Sequence, residues 1–297
     1  MSDSLLPKFV FAGFPRTGSQ FVQKCLQLHP EIDYCVKPRF FNDDESYARG
    51  LDYYQSMFSD YSVDKVIGEG DEHYLSKEAR FADPLAIAER IHAVLPHAKI
   101  VICIRNQIDF LLSGFRYWKR SGISAPFSSF MRGWPEEGVA FAKIADFCPY
   151  VVKYIALFGK ENVKIMFHED LADSDHAFLE DLFSFLGVAP SAAAKILGKL
   201  SAYHDVNPAP SRTLSRLFDL ANALRMKNPG ALRWVFPIRL YRSLSTLEYK
   251  LFGSSARDFR AALSAQETEM IRRRYSEGNI ELSSLLDVDL KAKGYPV

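Results

Sequence analysis

The chain is poor in cysteine, poor in histidine and nearly without net charge. Its four cysteines (Cys25, Cys35, Cys103 and Cys148) are scattered over 297 residues with no Cys-x-x-Cys pair. That spacing argues against a disulfide framework or a thiolate metal site, and reduced thiols are the expectation. The seven histidines show no helical His-x-x-x-His pair, and His92 and His97 stand five apart, so no metal is expected. Lys and Arg total 37 against 36 Asp and Glu, which gives no electrostatic case for a nucleic-acid partner. No run of about 18 apolar residues is present, so no transmembrane helix is expected. The N-terminus lacks a basic segment followed by an apolar core, so no signal peptide is expected, and the expected location is cytoplasmic.

What is present is a hydrophobic content of 48%, enough to bury a full core. No linker, repeat or low-complexity tract precedes residue 205, so one domain over 1–297 is expected. Apolar, β-rich runs predict strands near 8–13, 32–36, 65–69, 98–104 and 162–167. Helical periodicity predicts helices near 18–28, 44–57, 83–94, 107–119, 139–158 and 174–186. His29-Pro30 closes the first helix, because a residue before proline disfavours the helical region. Asp83-Pro84 opens another, with Asp as N-cap and Pro at the first helical position. Such alternation implies an α/β fold, a parallel sheet with helices on both faces. Ligands of such sheets bind at the carboxyl ends of the strands. Arg16, Lys37, Glu69 and Arg105 all end or follow predicted strands, so one cleft can gather them.

The run from Phe9 to Val22 reads as a buried strand, a small-residue loop and the start of a helix. Backbone N–H groups of such a loop, with the positive end of the helix dipole behind them, make an anion site. The spacing Gly13-x4-Gly18 matches the first half of the nucleotide-binding P-loop. Ser19-Gln20 stands where that loop carries Lys-Ser or Lys-Thr, and the cation sits inside the loop as Arg16. The missing lysine, and the missing hydroxyl after it, argue against ordinary ATP or GTP hydrolysis with magnesium. A second segment, Ala98 to Arg105, is an apolar run ending on arginine. The helix that follows brings Ser113 round about two turns later, so Arg105 and Ser113 can reach one phosphate.

With both segments in order and at this spacing, the chain resembles the sulfotransferases that use 3′-phosphoadenosine 5′-phosphosulfate (PAPS). The similarity extends to Cys35-Val36-Lys37-Pro38-Arg39-Phe40-Phe41 and Gly68-Glu69-Gly70-Asp71-Glu72-His73-Tyr74-Leu75, which look like landmarks of the heparan-type, carbohydrate-directed branch. Asn162 to Leu171 and Leu182 to Val188 match later landmarks that are structural. The resemblance is good over 8–190, weak from 191 to about 265 and partial at the C-terminal end. It implies a sulfotransferase fold with a helical C-terminal portion, PAPS as co-substrate and no metal.

It also implies roles. Arg16 supplies the cation at the leaving group, and Thr17, Gly18, Ser19 and Gln20 hold the 5′-phosphate. Arg105 and Ser113 hold the 3′-phosphate, and Arg212, from a late basic segment, adds a further contact. Sulfuryl transfer is an in-line displacement, so positioning and charge stabilisation carry most of the catalysis. A carboxylate must accept the proton of the attacking hydroxyl or amine. Glu69 matches the strand-end glutamate of the heparan N-sulfotransferases, with Asp71, Glu72 and His73 in reserve. Lys37 stands where the family carries another glutamate, and Gly70 replaces a family lysine, so Lys37 is read as a compensating cation. The acceptor is a hydroxyl or amine; the similarity around Phe40-Phe41 and Glu69 leans to a glycan or glycolipid, with a small aromatic or natural-product alcohol as the close alternative. A P-loop small-molecule kinase, or a nucleotide-binding module without chemistry, are the alternatives.

Residues 205–263 differ in character. Asn207-Pro208-Ala209-Pro210 breaks the chain, and 212–250 then carries eight Lys or Arg against Asp219 and Glu248, with aromatics interleaved. The expectation is a helical basic and aromatic insertion. It suits an anionic acceptor or a peripheral membrane contact, or is the solvated face of ordinary helices.

Overall fold

The structure, a computed structural model, describes residues 6–76, 82–120, 127–132, 141–200 and 263–297. Five strands form one parallel sheet: β1 (Phe9–Ala12), β2 (Ile32–Val36), β3 (Val66–Asp71), β4 (Lys99–Ile104) and β5 (Val163–Phe167). Their order is β2-β3-β1-β4-β5, which puts β1 at the centre with Val10 opposite Glu69 on one side and Ile100 on the other. The described helices are α1 (Ser19–Leu28), α2 (Asp44–Ala48), α3 (Gly50–Ser56), α4 (Pro84–Val94), α5 (Gln107–Arg120), α6 (Phe127–Arg132), α7 (Cys148–Phe158), α8 (His168–Asp173), α9 (Asp175–Leu186), α10 (Ala192–Leu200) and α11 (Ala265–Leu286).

The central runs FVFA and KIVICI are buried without polar alternation because both sheet faces are covered. Val10, Ala12, Ile100, Ile102 and Ile104 face a core completed by Ile87 and Ile91 of α4, Phe110 of α5, Tyr154 of α7 and Tyr275 of α11. Phe9, Phe11, Val101 and Cys103 face a second core completed by Val22 and Leu26 of α1, Leu179 and Phe183 of α9 and Ile196 of α10. The chain therefore leaves β1 toward one face and leaves β3 and β4 toward the other. That divergence opens a crevice at the carboxyl end of β1. The sheet and its two helical layers agree with the sequence expectation, with boundary differences that have local causes. Helix 44–57 is two helices, because Gly50 takes a left-handed φ of 81°. Helix 139–158 is interrupted at 145–147 before Pro149 opens α7 in its first turn.

Strand β3 runs to Asp71, two residues beyond the expected end. Its Gly-Glu-Gly-Asp sequence has low strand propensity. The glycines are there for space: a Cβ on Gly68 would lie 2.0 Å from the Phe9 ring, and one on Gly70 would lie 2.5 Å from the Phe11 carbonyl oxygen. Phe9 and Tyr34 fill that side instead, stacked at 6.0 Å.

Helix α11 was not delimited in advance. It opens with a capping box between Ser264 and Glu267. Tyr275 then bonds the Ala142 carbonyl at 2.7 Å, and the Asn279 amide exchanges two hydrogen bonds with Gln107, at 2.8 and 3.0 Å. No helix of the described residues is long and apolar enough to cross a membrane. The basic insertion expected at 205–263, Arg212 included, lies outside the described residues but for its last position, residue 263.

Candidate active site

The loop after β1 turns sharply enough that two residues take left-handed backbone. Gly18 does so at φ 88° and Arg16 at φ 70°. For an arginine that conformation costs about 1–2 kcal/mol, so the surrounding structure has to impose it. Part of that imposition is Thr17, whose hydroxyl donates to the Phe14 carbonyl at 2.8 Å and closes the loop on itself. Gly18 is the N-cap of α1 and offers no side-chain cap, and the first turn holds no acid. The leading N–H groups of α1 are thus open to an anion. Ser19 is buried beneath them, whereas Gln20 is exposed. A side chain at position 18 would press on Leu171 and approach His168, so α8 walls the loop from the other side.

Arg105 follows β4 and comes to the same loop. Its Nη1 donates to the Arg16 carbonyl at 3.4 Å. The Arg16 Nε in turn donates to the Ser113 hydroxyl at 3.1 Å, across 97 positions of sequence. Arg105 Nε is buried with no hydrogen-bond partner. Burial and the neighbouring Arg116 depress its guanidinium, while Asp109 and Glu169 oppose that shift. Glu169 also accepts from the Asn106 backbone N–H and side-chain amide, at 2.9 and 3.0 Å, which holds the residue after Arg105 in place. His168 beside them is driven down to about 4 by burial and by Arg105, so its imidazole is neutral at pH 7.

Three acids stand at the end of β3, each in a different state. Glu69 is not at the strand end, as expected, but inside it and fully buried. Tyr74 donates to its Oε2 at 2.8 Å, and its Oε1 has no partner. Burial pushes its carboxyl up to about 8; Tyr74 works against the rise and Asp71 adds to it. Asp71 accepts from Asn42 at 3.2 Å and from the His73 backbone N–H at 2.9 Å, and burial still raises it. Glu72 pairs with Lys37 and accepts from Gln23 at 3.0 Å. Burial works to raise Glu72, but the Lys37 and Gln23 contacts prevail and hold it below its ordinary value. Lys37 is itself left-handed, at φ 55°, with its N–H bonded to the Gly70 carbonyl at 2.8 Å.

Asp71, Glu72 and His73 offer ligand atoms within 4.8 Å of one another. Lys37 already supplies the cation there, and Asn42 and the His73 N–H occupy Asp71. The structure thus joins Arg16, Arg105 and Ser113 directly, and groups Lys37, Glu69, Asp71 and Glu72 one strand away. Sequence reasoning missed four partners: Gln23, Asn42, Glu169 and Arg116. Of these only Glu169 carried a signal, since it sits in the landmark read as structural.

Residues 6–205 match the family model described as Sulfotransferase domain. The chain belongs to that family. Among curated proteins, the membrane-associated sulfotransferase kil1 of Dictyostelium discoideum is 27% identical over 127 residues, 41% of this chain and 26% of that protein. The human bifunctional heparan sulfate N-deacetylase/N-sulfotransferase 2 is 23% identical over 206 residues, 62% of this chain and 22% of that protein. The matched stretch therefore spans about a quarter of either relative. A sulfotransferase from Alicyclobacillus acidocaldarius, of known crystal structure, shares the fold: TM-score 0.63 at 18% identity, covering 97% of this chain and 98% of that one. The space a side chain would take at position 70 is held by the Tyr34 hydroxyl and the Phe11 backbone.

Proposed function

We propose that the protein transfers a sulfuryl group from PAPS to a hydroxyl or amine of an acceptor, a glycan or glycolipid in preference. The observation that carries this reading is the Arg16–Ser113 hydrogen bond. It joins the phosphosulfate-type loop to the Arg-x7-Ser element, so one nucleotide can span both. The heparan sulfate relatives support the carbohydrate preference.

On this reading Arg16 and the leading N–H groups of α1 hold the 5′-phosphate and take up charge as it departs. Thr17 and Ser19 shape that loop, and Gln20 contributes through its backbone. Arg105 and Ser113 hold the 3′-phosphate, with Arg212 as the late contact that the resemblance implies. Glu69 is the base. Glu72 is committed to Lys37, both Asp71 oxygens are bonded, and Glu69 alone keeps an unfilled oxygen. A carboxylate near 8 is a stronger base than one near 4.5, at the cost of being mostly protonated at pH 7. Glu69 is fully buried, so on this reading its neighbours have to rearrange before an acceptor can reach it. Lys37 supplies the cation that position 70 has no room to carry.

The test is calorimetric titration with 3′-phosphoadenosine 5′-phosphate, the desulfonated product, without magnesium. Wild type is expected to bind tightly, and Arg105→Ala to bind roughly 100-fold more weakly, as for loss of a charge-assisted phosphate contact. Absence of binding to wild type overturns the reading and makes ATP with magnesium the next ligand to try.

A further inference from the structure

We infer that Arg116 is an additional guanidinium of the nucleotide site and grips the 3′-phosphate together with Arg105 and Ser113. The inference rests on the PAPS reading above and names a residue that neither the sequence motifs nor the family landmarks single out. On α5, Ser113 and Arg116 are three residues apart, so their side chains leave one face of the helix as neighbours. Ser113 meets the Arg16 side chain at 3.1 Å. Arg105 holds the Arg16 carbonyl and is close enough to Arg116 for the two cations to repel. Arg16 thus bonds the serine, Arg105 bonds Arg16, and Arg116 stands three residues beyond the serine on α5 within electrostatic reach of Arg105.

The donor inventory makes this cluster unusual. Arg105 Nε and Arg116 Nε are both buried, and neither has a hydrogen-bond partner. Leaving a buried donor unmade costs about 1–3 kcal/mol, more for a charged group, and native structures rarely leave two side by side. Like charges brought together add to that cost. A dianion with three acceptor oxygens removes both penalties at once. A phosphate monoester is such a dianion near neutral pH, and a guanidinium presents paired donors that match its oxygens. Asp109 and Glu169 act on Arg105 and partly offset the cluster there.

The test separates the 3′-phosphate from the rest of the nucleotide. Wild type, Arg116→Ala and Arg116→Lys are titrated with 3′-phosphoadenosine 5′-phosphate and with adenosine 5′-phosphate, which lacks the 3′ group. Thermal melts of the free proteins accompany the titrations. Arg116→Ala is expected to weaken the first ligand by about 10- to 100-fold and to leave the second within about twofold. Arg116→Lys keeps the charge and loses the buried Nε donor, so it should fall between. It also carries the same comparison if the alanine variant does not fold. Equal losses on both ligands, or no loss on either, overturn the inference while leaving the PAPS reading in place. If wild type fails to bind 3′-phosphoadenosine 5′-phosphate, the reading underneath falls and this inference with it.

Discussion

The two halves of the site are built on opposite plans. On the β1–β4 side, cations are drawn together against their own repulsion, and Arg105 and Arg116 keep buried donors unfilled. On the β2–β3 side, acids are gathered and largely matched: Glu72 by Lys37 and Gln23, Asp71 by Asn42 and the His73 N–H, Glu69 by Tyr74 on one oxygen only. The first half is complementary to something absent from the protein itself. The second is largely self-complementary, and among its three acids Glu69 alone keeps an oxygen without a partner. On the proposed reading, unfilled guanidinium donors in one half and an unfilled carboxylate oxygen of Glu69 in the other would hold an anion beside a base.

Changing Glu69 should have the largest effect. Glu69→Gln is expected to lower kcat by roughly 10²- to 10⁴-fold, the usual range for a general base, while 3′-phosphoadenosine 5′-phosphate still binds. The same variant tests the burial argument through stability. The folded carboxyl titrates near 8 against 4.5 in the unfolded chain, so between these values the folded state holds the extra proton. Wild-type stability therefore falls as pH rises through that window. Glutamine does not titrate, so the variant's Tm should gain on wild type from about pH 4.5 to 8 and level off above. A variant that loses stability across that window would show Glu69 to be a structural ion. The wild-type rate should rise with pH toward about 8, the sign opposite to the stability trend.

Next in size are the cation variants already described, with Arg105→Ala ahead of Arg116→Ala. Both are expected to act on nucleotide affinity, whereas the Glu69 variant acts on turnover, and that sharpens the contrast between the halves. The smallest effect is expected from Lys37→Ala, about tenfold or less on kcat/KM, because Glu72 retains Gln23 and Lys37 is partly exposed. Unchanged turnover in that variant would sink the idea that position 37 replaces the cation missing at position 70.

The cation half was the more legible in the sequence. Arg16, Arg105 and Ser113 sit at fixed offsets from strand ends, and an apolar run followed by a periodic helix gives those offsets directly. Arg116 escaped because its role depends on two donors being buried together, which no spacing encodes. The acid half was legible by composition and misread in depth. Glu69 was expected at a strand end, yet β3 continues to Asp71, because Phe9 and Tyr34 occupy the volume its glycines vacate. Lys37 and Glu72 were both legible, but their pairing was not, since it crosses from the end of β2 to the end of β3. Long-range polar pairs such as Gln107 with Asn279, 172 positions apart, leave no local pattern at all.

That last pair has a consequence for the far end of the chain. Asn279 bonds Gln107 and also the Pro296 carbonyl at 2.7 Å, and Tyr295 reaches Glu169, the residue that fixes Asn106 beside Arg105. On the proposed reading, residues 290–297 therefore act as a remote gauge of the nucleotide site. Filling that site should slow amide hydrogen exchange in this stretch, with the ordering relayed through Glu169 and Asn279.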